Sequence, residues 1–291
     1  MLVAAAAILG TNYVVVKWAL LGAGPLTVVL FRALFGAVVM LAVCAATRTS
    51  LRVAWRRADL FAMGAPAFLM AASQLTFTYG VKSTGAGLAS LLANTMPVFS
   101  TLLAWLVLRD RPTRVVVLGI AVALGGVGVA ASVAGGGKTT HPIGIVMMLV
   151  AVVAWAGSNV LLKRRRPAGG EIAFATWMLI VGSVVFTPLA AIGEGFAVHW
   201  SWKFIAEALI AGGVGQIGFL LVLLVLARGS VTRASLVSFM VPVFAITAGA
   251  LLLDEAVRAR ELAGGVLIFA GVGLVVFRGA RRASAPRGLS P

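Results

Sequence analysis

The sequence predicts an all-α integral membrane protein, with ten transmembrane helices arranged as a five-plus-five inverted-topology repeat. Three observations carry this. Hydrophobic residues make up 61% of the chain and charged residues 11%, with a mean hydropathy of +1.08, far from the balance of soluble domains. Apolar runs of membrane length recur from one end to the other. The stretch 89–99 (ASLLANTMPVF) returns as 234–244 (ASLVSFMVPVF), and the same shift of 145 residues carries Asp110 onto Glu255, Gly119 onto Gly264, Gly126 onto Gly271 and Gly128 onto Gly273. Each copy holds an odd number of spans, so the second enters the bilayer upside down relative to the first.

At about 20 residues per spanning helix, the 291 residues accommodate ten spans and leave little for a soluble domain. Spans 2–21 and 26–46 are separated by the uncharged Gly22-Ala23-Gly24-Pro25. The arginine-rich stretch after residue 47 ends the second span, and the next runs over 59–80. A fourth, 85–107, contains Pro97 and ends at Arg109-Asp110-Arg111, followed by a glycine-rich fifth, 113–132. Beyond Lys138 the pattern repeats as 143–162, closed by Lys163-Arg164-Arg165-Arg166-Pro167, then 172–192, 204–226, 232–253 with Pro242, and 261–277. The first repeat is placed at 1–137 and the second at 138–291, which includes a short basic C-terminal tail; together they form one membrane domain.

Lysine and arginine set the orientation, because short cytoplasmic loops hold the excess of positive charge. With the N-terminus inside, cytoplasmic segments carry Arg48, Arg52, Arg56, Arg57, Arg109, Arg111, Arg114, Lys163 to Arg166, Arg228, Arg233, Arg278, Arg281, Arg282 and Arg287. Opposite loops carry only Lys82, Lys138, Lys203, Arg258 and Arg260. Equivalent loops of the two halves have opposite charge character, as inversion requires: loop 2–3 is rich in arginine while loop 7–8 has Glu194, His199 and Lys203. Both termini are therefore expected in the cytoplasm. The start Met1-Leu2-Val3 has no basic n-region or A-x-A site, so no removable signal peptide is expected.

The same inventory excludes other classes. The formal charge of +16 would suggest nucleic acid in a soluble chain, but here topology accounts for it, and no nucleic-acid partner is expected. Cys44, the only cysteine, excludes a disulfide framework and a cysteine-based zinc site. No helix brings Ser, His and Asp or Glu together, and both histidines, His141 and His199, fall in loops. Neither catalysis nor a metal or cofactor is expected.

Polar residues at bilayer depth face other helices or a wet cavity. Those expected to bind substrate are Asn12, Gln74, Tyr79, Asn94, Trp155, Ser158, Asn159, Trp177, Gln216 and Ser238, with interhelical hydrogen bonding as the alternative for each. They lie mainly in spans 1, 3, 4, 6, 8 and 9, which suggests a cavity among these spans with 5 and 10 packed outside. Glycines at 125, 126, 128, 271 and 273 read as packing seams or sliding surfaces. Pro97 and Pro242 sit at equivalent mid-helix positions, where paired kinks suit gating and simple bends are the alternative. Trp18, Trp55, Trp105, Trp200 and Trp202 suit an interfacial belt.

Three charges fall within apolar runs. Lys17 is close enough to a helix end to snorkel. Arg32 lies about 10 Å into its span, and Glu207 is the carboxylate at comparable depth, so a pairing of Arg32 with Glu207 is expected. With so few titratable groups in the membrane, facilitated diffusion or exchange is favoured over proton coupling.

The repeated Ala-Ser-Leu-Leu…Pro-Val-Phe segments at 86–99 and 231–244 are each followed, 13 residues after the proline, by an acid (Asp110, Glu255) and then a glycine-rich span. This pattern resembles the paired EamA domains of the drug/metabolite transporter superfamily across essentially the whole chain. The resemblance implies a central substrate cavity and, among bacterial members, export of amino acids or other small metabolites across the cytoplasmic (inner) membrane by alternating access. Asp110 and Glu255 are expected to serve the structure. A small-molecule substrate and the lipid bilayer are the expected partners, and a monomer is compatible with the pattern. Import, proton-coupled metabolite or drug transport, and a non-transporting scaffold or receptor remain as alternatives.

Overall fold

In the computed structural model, residues 2–51, 57–132, 140–164, 170–227 and 231–283 are described, with side chains omitted for 57–63, 163–164, 171, 223–227, 231–235 and 278–283. Many basic loop residues counted above, among them Arg52, Arg56, Lys138, Arg165 and Arg228, therefore lie outside the described residues, as does Trp55.

Hydrocarbon offers no partner to a backbone N–H or C=O, so an apolar chain of this composition satisfies both within helices. The first repeat comprises α1 (Leu2–Gly22), α2 (Pro25–Thr47), α3 (Arg57–Ser83), α4 (Ala86–Ala93) with α5 (Met96–Leu108), and α6 (Arg114–Ala131). The second comprises α7 (Pro142–Arg164), α8 (Gly170–Glu194), α9 (Trp202–Leu209) joined through a π-helical turn (Ile210–Val214) to α10 (Gly215–Ala227), α11 (Val231–Leu253) and α12 (Ala259–Ala283). The ten helical spans match the sequence-derived ones to within a few residues.

Local chemistry explains the boundaries. Pro25 opens α2, where its missing N–H costs nothing. The Thr113 and Ser201 hydroxyls accept from the backbone N–H of Val116 and Phe204 at the starts of α6 and α9. Spans 4 and 9 are each followed by a residue in the left-handed region, Arg109 (φ 57°) and Asp254 (φ 52°), and the 145-residue shift carries one onto the other.

The two prolines behave differently. Span 4 breaks at Asn94-Thr95 and restarts at Met96 with Pro97 in its first turn. At Pro242, by contrast, α11 runs on without interruption, so the equivalent prolines stand in one broken helix and one continuous one. At the break Thr95 Oγ1 donates to the Leu92 carbonyl at 2.6 Å, and the equivalent positions in α11 are Phe239 and Met240, which carry no such donor.

The main packing pairs are α6 with α12, α3 with α7, α1 with α11 and α2 with α8. Helix α6 rests almost entirely on α12, placing spans 5 and 10 at the side of the bundle. Their seam displays the inverted symmetry directly. A Cβ at Gly119 would lie 2.8 Å from the Gly271 carbonyl oxygen, and one at Gly126 would lie 2.7 Å from that of Gly264. The repeat shift maps Gly119 to Gly264 and Gly126 to Gly271, so the two close approaches are images of each other.

At one end of the bundle, two carboxylates of the second repeat hold helices of the first. Glu194 accepts from the backbone N–H groups of Leu26 and Thr27, each at 2.9 Å, and from the Thr27 hydroxyl at 2.8 Å. Glu255 accepts from Ala86 N–H at 2.7 Å and forms an ion pair with Lys17 at 2.6 Å. Both use the free donors and positive end of a helix N-terminus. Lys17 thus pairs rather than snorkels, and Glu255 serves the structure as a cap. The Gly22 and Ser83 carbonyls accept from the backbone N–H groups of His199 and His141 at the same end.

Two predictions follow for the purified protein, both read by thermal unfolding. Gly126→Ala lowers stability by about 1–3 kcal/mol through overpacking, whereas Gly125→Ala and Gly128→Ala, with nothing within 4 Å of the added carbon, are neutral or stabilising by up to about 1 kcal/mol. The Lys17 and Glu255 side chains are only 16% and 12% exposed, so Glu255→Gln alone costs about 3 kcal/mol by stranding the ammonium. Combining it with Lys17→Met restores most of that loss.

Candidate functional site

Arg32 arises from α2 two turns inside its first residue, at a position where a charge in a membrane span requires polar partners. Its backbone is gripped from the second repeat. Gly212, in the π-helical turn, lies so close to Arg32 that an added Cβ would overlap the Arg32 carbonyl and Cα. Such turns bulge a helix by one residue and recur at functional positions. From this anchor the side chain reaches α3, where Nη1 donates to Thr78 Oγ1 at 3.1 Å and the guanidinium carbon lies 5.3 Å from the centroid of the Phe77 ring. Tyr13 of α1 packs edge-on against that ring at 5.4 Å. The Arg32 Nε has no hydrogen-bond partner.

Arg32 lines a cavity of about 40 Å³ between α2, α3, α8 and the π-turn region. Gln74 of α3 and Gln216 of α10 supply its other polar side chains. The remaining lining, including Val29, Met70, Met178 and Phe186, is apolar. This combination of apolar walls with a few convergent polar groups is the usual composition of a small-molecule site.

Arg32 does not pair with Glu207. Among the described residues the cation's polar contact is Thr78, while Glu207 sits in a separate groove of about 480 Å³ with Trp18, His199 and Trp200, its carboxylate 4.0 Å from Lys203 Nζ. Glu207 stands five residues before Gly212, the residue packed on Arg32, so it lies nearer the start of its span than the level of Arg32, beside the loop residues that line its groove.

Of the other sequence-derived positions, several tie helices together. Ser158 Oγ donates to the Pro66 carbonyl at 2.9 Å, joining α7 to α3. Trp177 Nε1 donates to the Leu51 carbonyl at 3.0 Å, beyond the end of α2. Asn12 lies against Gly215, its Oδ1 unpartnered, and Asn94 stands at the break in span 4, its Nδ2 likewise unpartnered. Trp155 and Asn159 are half-buried on α7, while Tyr79 and Ser238 are exposed. The structure thus brings Gln74, Gln216 and Arg32 to one cavity. Much of the cavity wall comes from spans 2 and 7, whose contribution apart from Arg32 is apolar and so carries no polar signal in the sequence. Thr78 was also passed over, being one hydroxyl among many.

Comparison with known proteins places these features in a family. Residues 1–132 and 142–277 match the EamA-like transporter family. The chain is 28% identical over 276 residues to the uncharacterized transporter YvbV of Bacillus subtilis, covering 91% of this chain and 87% of that one. It is 32% identical over 210 residues to a probable terminal-alkyne amino-acid exporter of Streptantibioticus cattleyicolor, covering 71% and 69%. It is 28% identical over 207 residues to a probable amino-acid metabolite efflux pump of Salmonella typhimurium, covering 66% and 68%. A solved crystal structure shares the fold with a TM-score of 0.60 at 16% identity, covering 97% of this chain and 98% of the other. With its apolar helical spans, inverted glycine seam and family match along nearly its whole length, this chain belongs to the EamA-like transporter family, as a multi-pass membrane protein.

Proposed function

We propose that this protein is a secondary transporter of the bacterial cytoplasmic membrane that exports small organic solutes, amino acids or related metabolites, by alternating access. The observation that carries the proposal is the pair of contacts Glu194 with Leu26 and Thr27, and Glu255 with Ala86 and Lys17. Both cross from one inverted repeat to the other at one end of the bundle, where rocking of the repeats would break and remake them. In the orientation favoured by loop charge this end faces outward, so the contacts act as the outer gate in its closed position. The names of the amino-acid efflux relatives support the substrate class.

The proposal extends to the mode of transport. Glu207, the carboxylate within a span, lines the groove with Lys203 rather than the Arg32 cavity. Facilitated diffusion or exchange is therefore favoured over proton coupling. Substrate-binding positions are proposed at Gln74 and Gln216, with Asn12 and Asn94 contributing their unpartnered amide atoms in other states of the cycle.

Counterflow of radiolabelled amino acids in proteoliposomes tests this reading. Trans-stimulated exchange is expected, unchanged by an imposed pH gradient and retained by Glu207→Gln. Binding without movement across the vesicle would overturn it in favour of a receptor, and loss of exchange in Glu207→Gln with a strong pH effect would establish proton coupling. In a Cys44→Ala background, Lys203→Cys is expected to react with an impermeant maleimide on intact cells, and Arg111→Cys only after permeabilisation.

A further inference from the structure

Arg32 has more hydrogen-bonding capacity than its surroundings use. A guanidinium carries five N–H donors, yet among the described residues it donates one hydrogen bond, to Thr78 Oγ1, and no carboxylate pairs with it. The Phe77 ring face compensates some of the charge without accepting in the plane of the fork. A side chain whose task is packing at this depth would be satisfied, or would be aliphatic. Instead the architecture keeps the cation in place: the π-helical turn brings Gly212 against its backbone, and the cavity beside it is walled by Gln74, Gln216 and apolar groups with no acidic side chain.

We propose that this cavity binds the carboxylate of an apolar-tailed organic acid, α-amino acids with apolar side chains included, and that Arg32 is the residue that selects it. The inference rests on the transporter reading and deepens it by naming the group that is recognised. The planar fork of arginine matches a carboxylate with two parallel hydrogen bonds. The amides of Gln74 and Gln216 donate to the same carboxylate or accept from an adjacent ammonium. Because the lining is cationic and lacks a counter-charge, an amine without a carboxylate meets repulsion there. The cavity of about 40 Å³ has room for little beyond the carboxylate itself. Met70 and Met178, unbranched and readily repacked, form the wall that yields to the tail.

Binding to the purified full-length protein in lipid nanodiscs, measured by calorimetry, tests the inference. The probes are L-leucine, L-phenylalanine and 3-phenylpropionate, each beside its own amide. The wild type is expected to favour each acid over its amide by at least tenfold. Arg32→Gln, which keeps a donor for Thr78, is expected to abolish that preference while leaving ligand-free thermal stability unchanged or raised; Arg32→Lys is expected to retain part of it. Gln216→Leu is expected to weaken acid binding severalfold, which keeps the test decisive if Arg32→Gln does not fold. A wild type indifferent between acid and amide, or an Arg32→Gln variant that discriminates as well as the wild type, would overturn the inference. Binding preference without transport of any probe would leave this inference standing and defeat the transporter reading; transport with no role for Arg32 would do the reverse.

Discussion

Nothing in the hydrocarbon of a bilayer can replace water as a partner for the peptide group, and this constraint organises the molecule from the backbone upward. Once every span is helical, helices gain little from burying leucine against leucine, since lipid tails are equally apolar. Association then depends on close backbone approach and on the few polar groups available. The first appears at the α6–α12 seam, where Gly119 meets Gly271 and Gly126 meets Gly264. The second appears in the carboxylates of Glu194 and Glu255, which satisfy helix N-termini that would otherwise hold unmet donors.

The two repeats have kept their common frame and diverged where polarity matters. Span 4 is broken at Asn94-Thr95, where Thr95 Oγ1 donates to the Leu92 carbonyl, and span 9, with Phe239 and Met240 at the equivalent positions, is continuous. Span 3 is α-helical throughout, with Pro66 inside it, while its counterpart contains the π-helical turn. The carboxylates described at the tied end both come from the second repeat and grip the first. A device built from two copies of one unit has thereby acquired two ends that differ.

The architecture was legible because its causes are repetitive. Twenty-residue apolar runs, a shifted motif and a one-sided distribution of arginine each recur often enough to survive local irregularities. The cavity was less legible, since it is a three-dimensional coincidence of residues that share no spacing. Gln74 and Gln216 stood out as amides in apolar helices, but Ser158 and Trp177 stood out equally and make bonds between elements instead. Arg32 and Glu207 looked like partners because position along one helix can be counted, while which residue of another span stands level with it cannot, and that residue is Gly212. Lys17 was within reach of the interface and of Glu255, and contact between distant spans decided between them.

The π-helical turn at Ile210–Val214 carries one further consequence. A turn that holds one extra residue offsets everything beyond it by about 100° around the helix axis. Gln216 follows the turn directly, so the azimuth at which it meets the cavity beside Arg32 is set by that single looser turn and not by the regular winding of the span.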